Sequence, residues 1–316
     1  MKRGALALHP QLATLKATAV RAAAPTVKIT HAERVVDSRS GATKGDLVEY
    51  YARIAERMLP HLRERPVALV RGPEGVAGEI FFQKHGEKLR IPGIHNLDPA
   101  LWPGHPPMLE IATAEALVGA AQMNVIELHT WNSTTGAIDK PDRMIFDLDP
   151  GEAITWATVR EAASLTREML ELLGLESFLK TSGGQGLHVV VPLRPQLGYD
   201  EVKDFSATVV RHLAQTLPKL FVAKSGARNR VGRIFVDYLR NGRGATTAAA
   251  FSARARARLG VGVPVAWKEL KDLEAGDQWN IFTVFDRLAK RRVDPWKAYW
   301  SAKQALGPAL RKLARV

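Results

Sequence analysis

At 316 residues the chain exceeds one average domain and suggests two packed units or one large two-lobed body. Apolar residues make up 46% and charged residues 24%, which excludes a disordered, collagen-like or fibrous chain, and no run approaches the roughly 18 apolar residues of a membrane span. The absence of cysteine removes disulfides, thiolate catalysis, zinc fingers and iron–sulfur clusters together, so any metal must sit on oxygen or imidazole. The net charge of +13 is unevenly placed: residues 1–25 carry four basic residues and no acid, and residues 223–258 carry nine against Asp237 alone. Such local excess fits a phosphate-rich partner, although a solvated basic face gives the same count.

In chain order, residues 1–25 are Ala-rich, with a short helix expected over 11–21. They lack the continuous apolar centre of a secretory signal and read as a linker or an expression-derived edge. Asp46 is expected to cap a helix to about Leu62, with Leu47, Tyr50, Ile54, Arg57 and Met58 at helical spacing and Pro66 beyond. Strands follow at 67–71 and 79–84; the five prolines and two glycines of 92–107 make a loop or crossover, and 125–130 is a further strand. The second half opens on a strand at 143–149. Trp156, Val159, Ala163, Thr166, Leu170 and Leu173 then form one stripe of a long helix that Gly174 ends. Strands at 178–180 and 188–191, a helix over 200–217, and strands at 233–239 and 251–259 complete an α/β or α+β core, with a helical tail over 301–316.

Three features carry chemistry. Asp147 and Asp149 are two apart on a strand, so both leave one face while Phe146 and Leu148 leave the other. Two close carboxylates repel unless a divalent cation neutralises them, and oxygen ligands select magnesium or manganese, yet Asp-x-Asp alone is a weak signal. Asp237, mid-strand among apolar neighbours, supplies a third acid; three such groups can bridge two cations about 4 Å apart. The alternative is that Asp237 simply pairs with a nearby arginine. Between them, Ser182, Gly183, Gly184, Gln185, Gly186 and His188 form a strand–turn–strand. Its glycines are expected to expose consecutive N–H groups as a phosphate nest, unless it is an ordinary hairpin; it is not a Walker A loop.

An Asp-x-Asp strand, then Ser-Gly-x-x-Gly-x-His, then an aspartate on a later apolar strand resembles the archaeo-eukaryotic primase superfamily. His31-Ala32-Glu33-Arg34-Val35, Thr43-Lys44-Gly45-Asp46, Phe81-Phe82, His129-Thr130-Trp131-Asn132-Ser133 and Asp147-Leu148-Asp149-Pro150 further resemble the polymerase domain of bacterial ligase D, in order over about 27–300. The resemblance implies an RRM-like catalytic sheet over 124–300 beside a smaller N-terminal α/β module over 26–123. It also implies a templated and terminal-transferase-like nucleotidyl transferase that extends DNA ends, prefers ribonucleotides and works best with manganese. Asp147 and Asp149 would hold both cations and Asp237 the one that activates the primer hydroxyl, with Ser182 and His188 on the incoming nucleotide.

By the same likeness Arg254 and Arg256, sharing a strand face, clamp the triphosphate, His129 lines the sugar pocket, and Arg230 is a loop arginine that contacts the catalytic region. Lys44 would bind a downstream 5′-phosphate. Arg34 stands where relatives commonly place lysine, and Gln185 where some place a basic residue. Of Phe81 and Phe82, one ring is expected in the core and the other stacked on a template base. Implied partners are nucleoside triphosphates, DNA ends with a 5′-phosphate, a Ku-type protein, and linked ligase and nuclease domains, in a bacterial cytoplasm near the nucleoid and away from membranes. From the residues alone, a metal-dependent nuclease and a non-catalytic DNA-end adaptor remain alternatives.

Overall fold

The computed structural model describes residues 27–86, 91–291 and 293–315, so the expectations for 1–25 lie outside the described residues. The chain enters through β1 (Val35–Asp37) and β2 (Ala42–Thr43) into α1 (Lys44–Met58). It continues as β3 (Val67–Arg71), β4 (Phe81–Gln83), β5 (His95–Asn96), β6 (Leu109–Glu110), α2 (Ala114–Gln122) and β7 (Val125–Thr130). Then come β8 (Arg143–Pro150), α3 (Trp156–Leu172), β9 (Phe178–Thr181), β10 (Leu187–Pro192), α4 (Tyr199–Thr216), β11 (Phe221–Val222) and β12 (Ile234–Asp237). The chain closes with β13 (Thr247–Ala248), β14 (Pro264–Val265), α5 (Val284–Lys290) and α6 (Gly307–Leu313).

Two sheets organise these elements. One runs β13-β7-β3-β6-β5 with β4 also paired to β3, and the other runs β11-β12-β8-β10-β9-β14. The mixed helix-and-sheet class expected from the sequence is therefore present. The first sheet takes β7 and β13 from beyond residue 123, so the chain enters it twice more after its N-terminal part.

Local chemistry explains most boundaries. Thr43, not Asp46, caps α1: the Asp46 N–H donates to Thr43 Oγ1 at 3.2 Å, and the Thr43 N–H donates to Asp46 Oδ2 at 2.8 Å. Asp46 thus closes the capping box from inside the helix. The helix also stops short of Leu62. Pro60 has no N–H to continue the ladder, and the chain tightens into a 3-10 turn over Leu59–His61. At the end of α3, Gly174 takes φ +82° as expected of its helix-stopping role.

One predicted strand is absent. Residues 251–259 form an irregular segment, with Phe251, Arg258 and Leu259 at positive φ and a single bridge between Ala253 and Val261. Left-handed backbone at three non-glycine positions breaks the alternation a strand needs. Tertiary hydrogen bonds stabilise it instead. Tyr50 Oη donates to the Phe251 carbonyl at 2.6 Å, Tyr51 Oη accepts from Ala253 N–H at 3.2 Å, and Ser252 Oγ accepts from Leu128 N–H at 2.9 Å.

Each sheet buries one face under helices. Met144, Phe146 and Leu148 of β8 pack with Val159, Ala163 and Leu170 of α3 and Phe205 and Val209 of α4. Leu69, Ile126 and Leu128 pack with Leu47, Ile54 and Met58 of α1 and Leu117 of α2. Burying a side chain such as Phe146, fully inaccessible, contributes about 2–3 kcal/mol. On the opposite face of β8, Ile145 packs with Phe178, Val190, Trp296 and Tyr299, and beyond it that face turns polar. Among the described residues no helix is long and apolar enough to cross a membrane.

Candidate active site

Sheet register builds the site. Asp147 lies opposite His188 of β10 on one side and Asp237 of β12 on the other, and His188 lies opposite Lys180 of β9. One row across four strands therefore reads Asp237, Asp147, His188, Lys180, and the two-residue alternation adds Asp149 to the same face. Ligand oxygens of Asp147, Asp149 and Asp237 lie within 4.8 Å of one another, the one such group of three among the described residues. The sequence expectation of convergence from neighbouring strands is met.

These carboxylates are electrostatically unsatisfied. Burial and then the charge of Asp149 push Asp147 up to about 7, and burial raises Asp237 as well. The nearest cations are arginines. Arg240 Nε stands 3.1 Å from Asp237 and 3.5 Å from Asp147, and Arg230 stands 3.1 Å from Asp149. Both alternatives left open for Asp237 are thus realised at once: it pairs with an arginine and belongs to the acidic cluster. Three oxygen donors at this spacing, two of them held above their ordinary pKa, fit hard divalent cations such as Mg2+ or Mn2+.

The glycine-rich turn differs from the expected nest. The N–H groups of Gly184 and Gly186 both donate to Ser182 Oγ, at 3.0 and 3.1 Å, and that of Gly183 donates to the Gly276 carbonyl at 2.9 Å. Ser182 fills the turn from within, so these donors do not face outward. The glycines serve close approach instead: a Cβ on Gly186 would stand 2.0 Å from the carbonyl oxygen of Leu148, which lies between the two acids of β8. Nothing in the described contacts engages Gln185 with the site. His188 is buried with Nε2 3.3 Å from Asp147 and Nδ1 without a partner; burial, then the charge of Lys180, holds its pKa well below the ordinary range.

Around this row stand the cationic groups. Arg254 donates from Nε to Glu127 at 2.9 Å and from a terminal nitrogen to the Ser182 carbonyl at 2.9 Å. Arg256 is exposed, and both arginines reach to just under 4 Å of where a Gly184 Cβ would stand. They meet the turn through the irregular segment rather than a shared strand face. His129 is partly buried on β7, its Nε2 2.6 Å from Glu127. The charges of Lys180, Arg254 and Arg240 all reach His188, which marks one convergent cluster.

The predicted DNA-side residues fall into two places. Phe81 and Phe82 are 44% and 50% exposed, so neither ring enters the core; β4 is a three-residue strand paired to β3, and alternation there leads to two partly open faces. Phe82 stands edge-on to His129 at 5.7 Å between ring centres, which places it beside the site. Arg34 and Lys44 lie together at the start of α1. Lys44 is buried, with Nζ donating to the Thr30 carbonyl at 2.8 Å, and Arg34 donates to Asn124, so neither group is free of protein partners.

Sequence reasoning missed four residues. Arg240, Glu127 and Lys180 are named above. Asn241 accepts from Ile145 N–H and donates to the Ile145 carbonyl, both at 2.8 Å, tying the turn after Asp237 to the strand that bears Asp147. Glu127 had a visible signal, since it lies two residues before His129 on an apolar strand; Asn241 had none.

A mixed fold carrying three converging carboxylates ringed by cationic side chains is suited to divalent-cation chemistry on a phosphate-bearing substrate. The sequence model described as "LigD, primase-polymerase domain" matches residues 43–296. The chain is 52% identical over 297 residues to the multifunctional non-homologous end joining protein LigD of Pseudomonas aeruginosa, covering 94% of this chain and 35% of that protein. It is 34% identical over 250 residues to that of Mycolicibacterium smegmatis, covering 78% of this chain and 33% of that protein. Among solved structures, the polymerase domain of Mycobacterium tuberculosis ligase D in complex with DNA superposes with a TM-score of 0.78 at 29% identity, over 89% of this chain and 100% of that one. The chain belongs to the LigD primase-polymerase family, which makes it a DNA-directed nucleotidyltransferase. It spans about a third of the length of these LigD relatives.

Proposed function

We propose that this chain extends DNA ends in non-homologous end joining, by templated gap filling and by non-templated addition, with ribonucleotides preferred. The observation that carries the reading is the strand register that sets Asp147 between His188 and Asp237, with three carboxylates within 4.8 Å. In this reaction the primer 3′-oxygen forms a bond to the α-phosphorus of a nucleoside triphosphate as the bond to the departing pyrophosphate breaks. Two divalent cations, manganese or magnesium, would supply a lowered pKa for the attacking hydroxyl and offset charge on the pyrophosphate. Asp147 and Asp149 would hold both cations, and Asp237 the one that serves the primer hydroxyl.

The chain's other residues orient the reactants. Ser182, His188, Arg254 and Arg256 take the triphosphate, with Gly183, Gly184, Gln185 and Gly186 shaping the turn beneath it, and His129 takes the sugar. Phe81 and Phe82 stack on template bases, Arg230 leaves Asp149 to contact the catalytic region, and Lys44 with Arg34 receives a 5′-phosphate. That last role requires the Lys44 amine to exchange the Thr30 carbonyl for phosphate. The preference for ribonucleotides rests on family likeness alone. A Ku-type end binder, linked ligase and nuclease domains, and a bacterial cytoplasmic setting at the nucleoid follow from the same likeness.

The test is extension of a labelled primer in a 5′-phosphorylated gapped duplex, with each nucleotide type and with or without Mn2+ or Mg2+. Cation-dependent lengthening, faster with ribonucleotides, is expected. Strand shortening would favour a nuclease, and DNA binding without extension would favour an adaptor.

A further inference from the structure

Glu127 is a buried carboxylate on the sheet that faces the acidic cluster, and it belongs to no cation site. Its Oε2 accepts from His129 Nε2 at 2.6 Å and from Arg254 Nε at 2.9 Å, while its Oε1 accepts from Ala255 N–H at 2.7 Å. Arg254 continues the chain to the Ser182 carbonyl. One carboxylate thus links β7 of the first sheet, the irregular segment and the glycine-rich turn of the second sheet. The two side chains it grips are those assigned above to the sugar and to the triphosphate.

We infer that Glu127 is a positioning residue that fixes His129 and Arg254 relative to one another, so that the sugar and phosphate contacts of the nucleotide site act as one unit. The inference rests on the functional reading above for the roles of its two partners. Because Nε2 of His129 carries the proton it donates to Glu127, Nδ1 is left as an acceptor, suited to a hydroxyl donor on a sugar. Arg254, held through Nε, keeps its terminal nitrogens for the turn and an anionic ligand. A carboxylate is required by count. It meets three donors with two acceptor oxygens, and a glutamine in its place would turn an NH2 toward a donor in either amide orientation, leaving an N–H unsatisfied.

The sharp test is therefore the isosteric Glu127→Gln. Equilibrium binding of a fluorescent ribonucleoside triphosphate with Mn2+ should weaken about tenfold, with nucleotide KM rising by a similar factor and kcat changing less than threefold. DNA affinity should be unchanged. The loss in the double variant Glu127→Gln/Arg254→Ala should be smaller than the two single losses combined, because the carboxylate acts in part through that arginine. A folded Glu127→Gln with parental nucleotide affinity, or losses that add in the double variant, would overturn the inference. If Glu127→Gln fails to fold, the parent protein decides: imidazole 15N shifts, assigned with His129→Asn, should report His129 protonated at Nε2, and an Nδ1–H form would overturn the inference. A parent that binds no nucleotide at all would instead overturn the functional reading, which keeps the two failures distinguishable.

Discussion

Two buried carboxylates on facing sheets, Glu127 and Asp147, differ in their state of satisfaction. Burial pushes both upward, but the hydrogen bond from His129 and the charge of Arg254 bring Glu127 down to about 2, while its neighbours Asp149 and Asp237 help hold Asp147 up to about 7. The first accepts three hydrogen bonds, one of them from an arginine. The second has acids on its own face and only the half-exposed Arg240 and a histidine beside it. The contrast teaches that burial alone does not mark a cation site; burial with too few positive partners does.

Removing the unsatisfied acid should have the largest effect. Asp147→Asn should lower nucleotide addition by roughly 10³-fold, about 4 kcal/mol of barrier, because a cation ligand acting in the transition state is lost. The same substitution should leave metal-free thermal stability unchanged or higher, since it removes repulsion. A large drop in melting temperature would show that Asp147 is a structural group and break the comparison.

Next in size is the response to cation itself. Adding Mn2+ at 100 times its dissociation constant should stabilise the protein by about 2.7 kcal/mol, measured by thermal melting, and Asp147→Asn should abolish the shift. A parental protein whose melting temperature ignores Mn2+ would contradict the cluster's role.

The pH dependence should have opposite sign for the two groups. Glu127, lowered from 4.5 to about 2, contributes stability present above its ordinary value and lost as pH falls through about 2. Asp147, raised from 3.8 to about 7, favours the folded state when protonated, so metal-free stability should decline as pH rises through about 7. Melting curves of metal-free parent and Asp147→Asn between pH 5 and pH 8 check this: the decline should be present in the first and reduced in the second. The smallest stability effect is expected at Phe82→Ala, within about 0.5 kcal/mol because the ring is half exposed, with primer–template affinity the quantity that falls.

How far the sequence could be read follows from which forces acted locally. The alternation of residues 144–149, the stripes of α1 and α3 and the Gly174 stop are set by nearest neighbours, and all were legible. The acids of the site were legible for the same reason, since strand alternation settles which face they share. What escaped depended on distant partners. Residues 251–259 look like a strand until Tyr50 and Tyr51, some two hundred positions away, claim their backbone groups. Phe81 and Phe82 look half core until β4 proves to be a short strand that leaves both rings largely exposed. The turn at Ser182 looks like an open nest until its own hydroxyl takes up two N–H groups. Arg240 lies next in sequence to Asn241, and only the turn after β12 reveals that one stands beside the acids while the other pins their strand.

The Asn241 clamp also bears on how the molecule ages. Asn241 precedes Gly242, a pair chemically prone to cyclise when the glycine nitrogen attacks the side-chain amide carbon, with loss of ammonia. Here that amide is committed to both backbone groups of Ile145, and the Gly242 N–H donates to the Leu239 carbonyl at 3.1 Å. The fold therefore protects its own weak point. Deamidation requires an opening that frees the Asn241 amide from Ile145, so the slow appearance of isoaspartate at position 241 would record how often that clamp lets go.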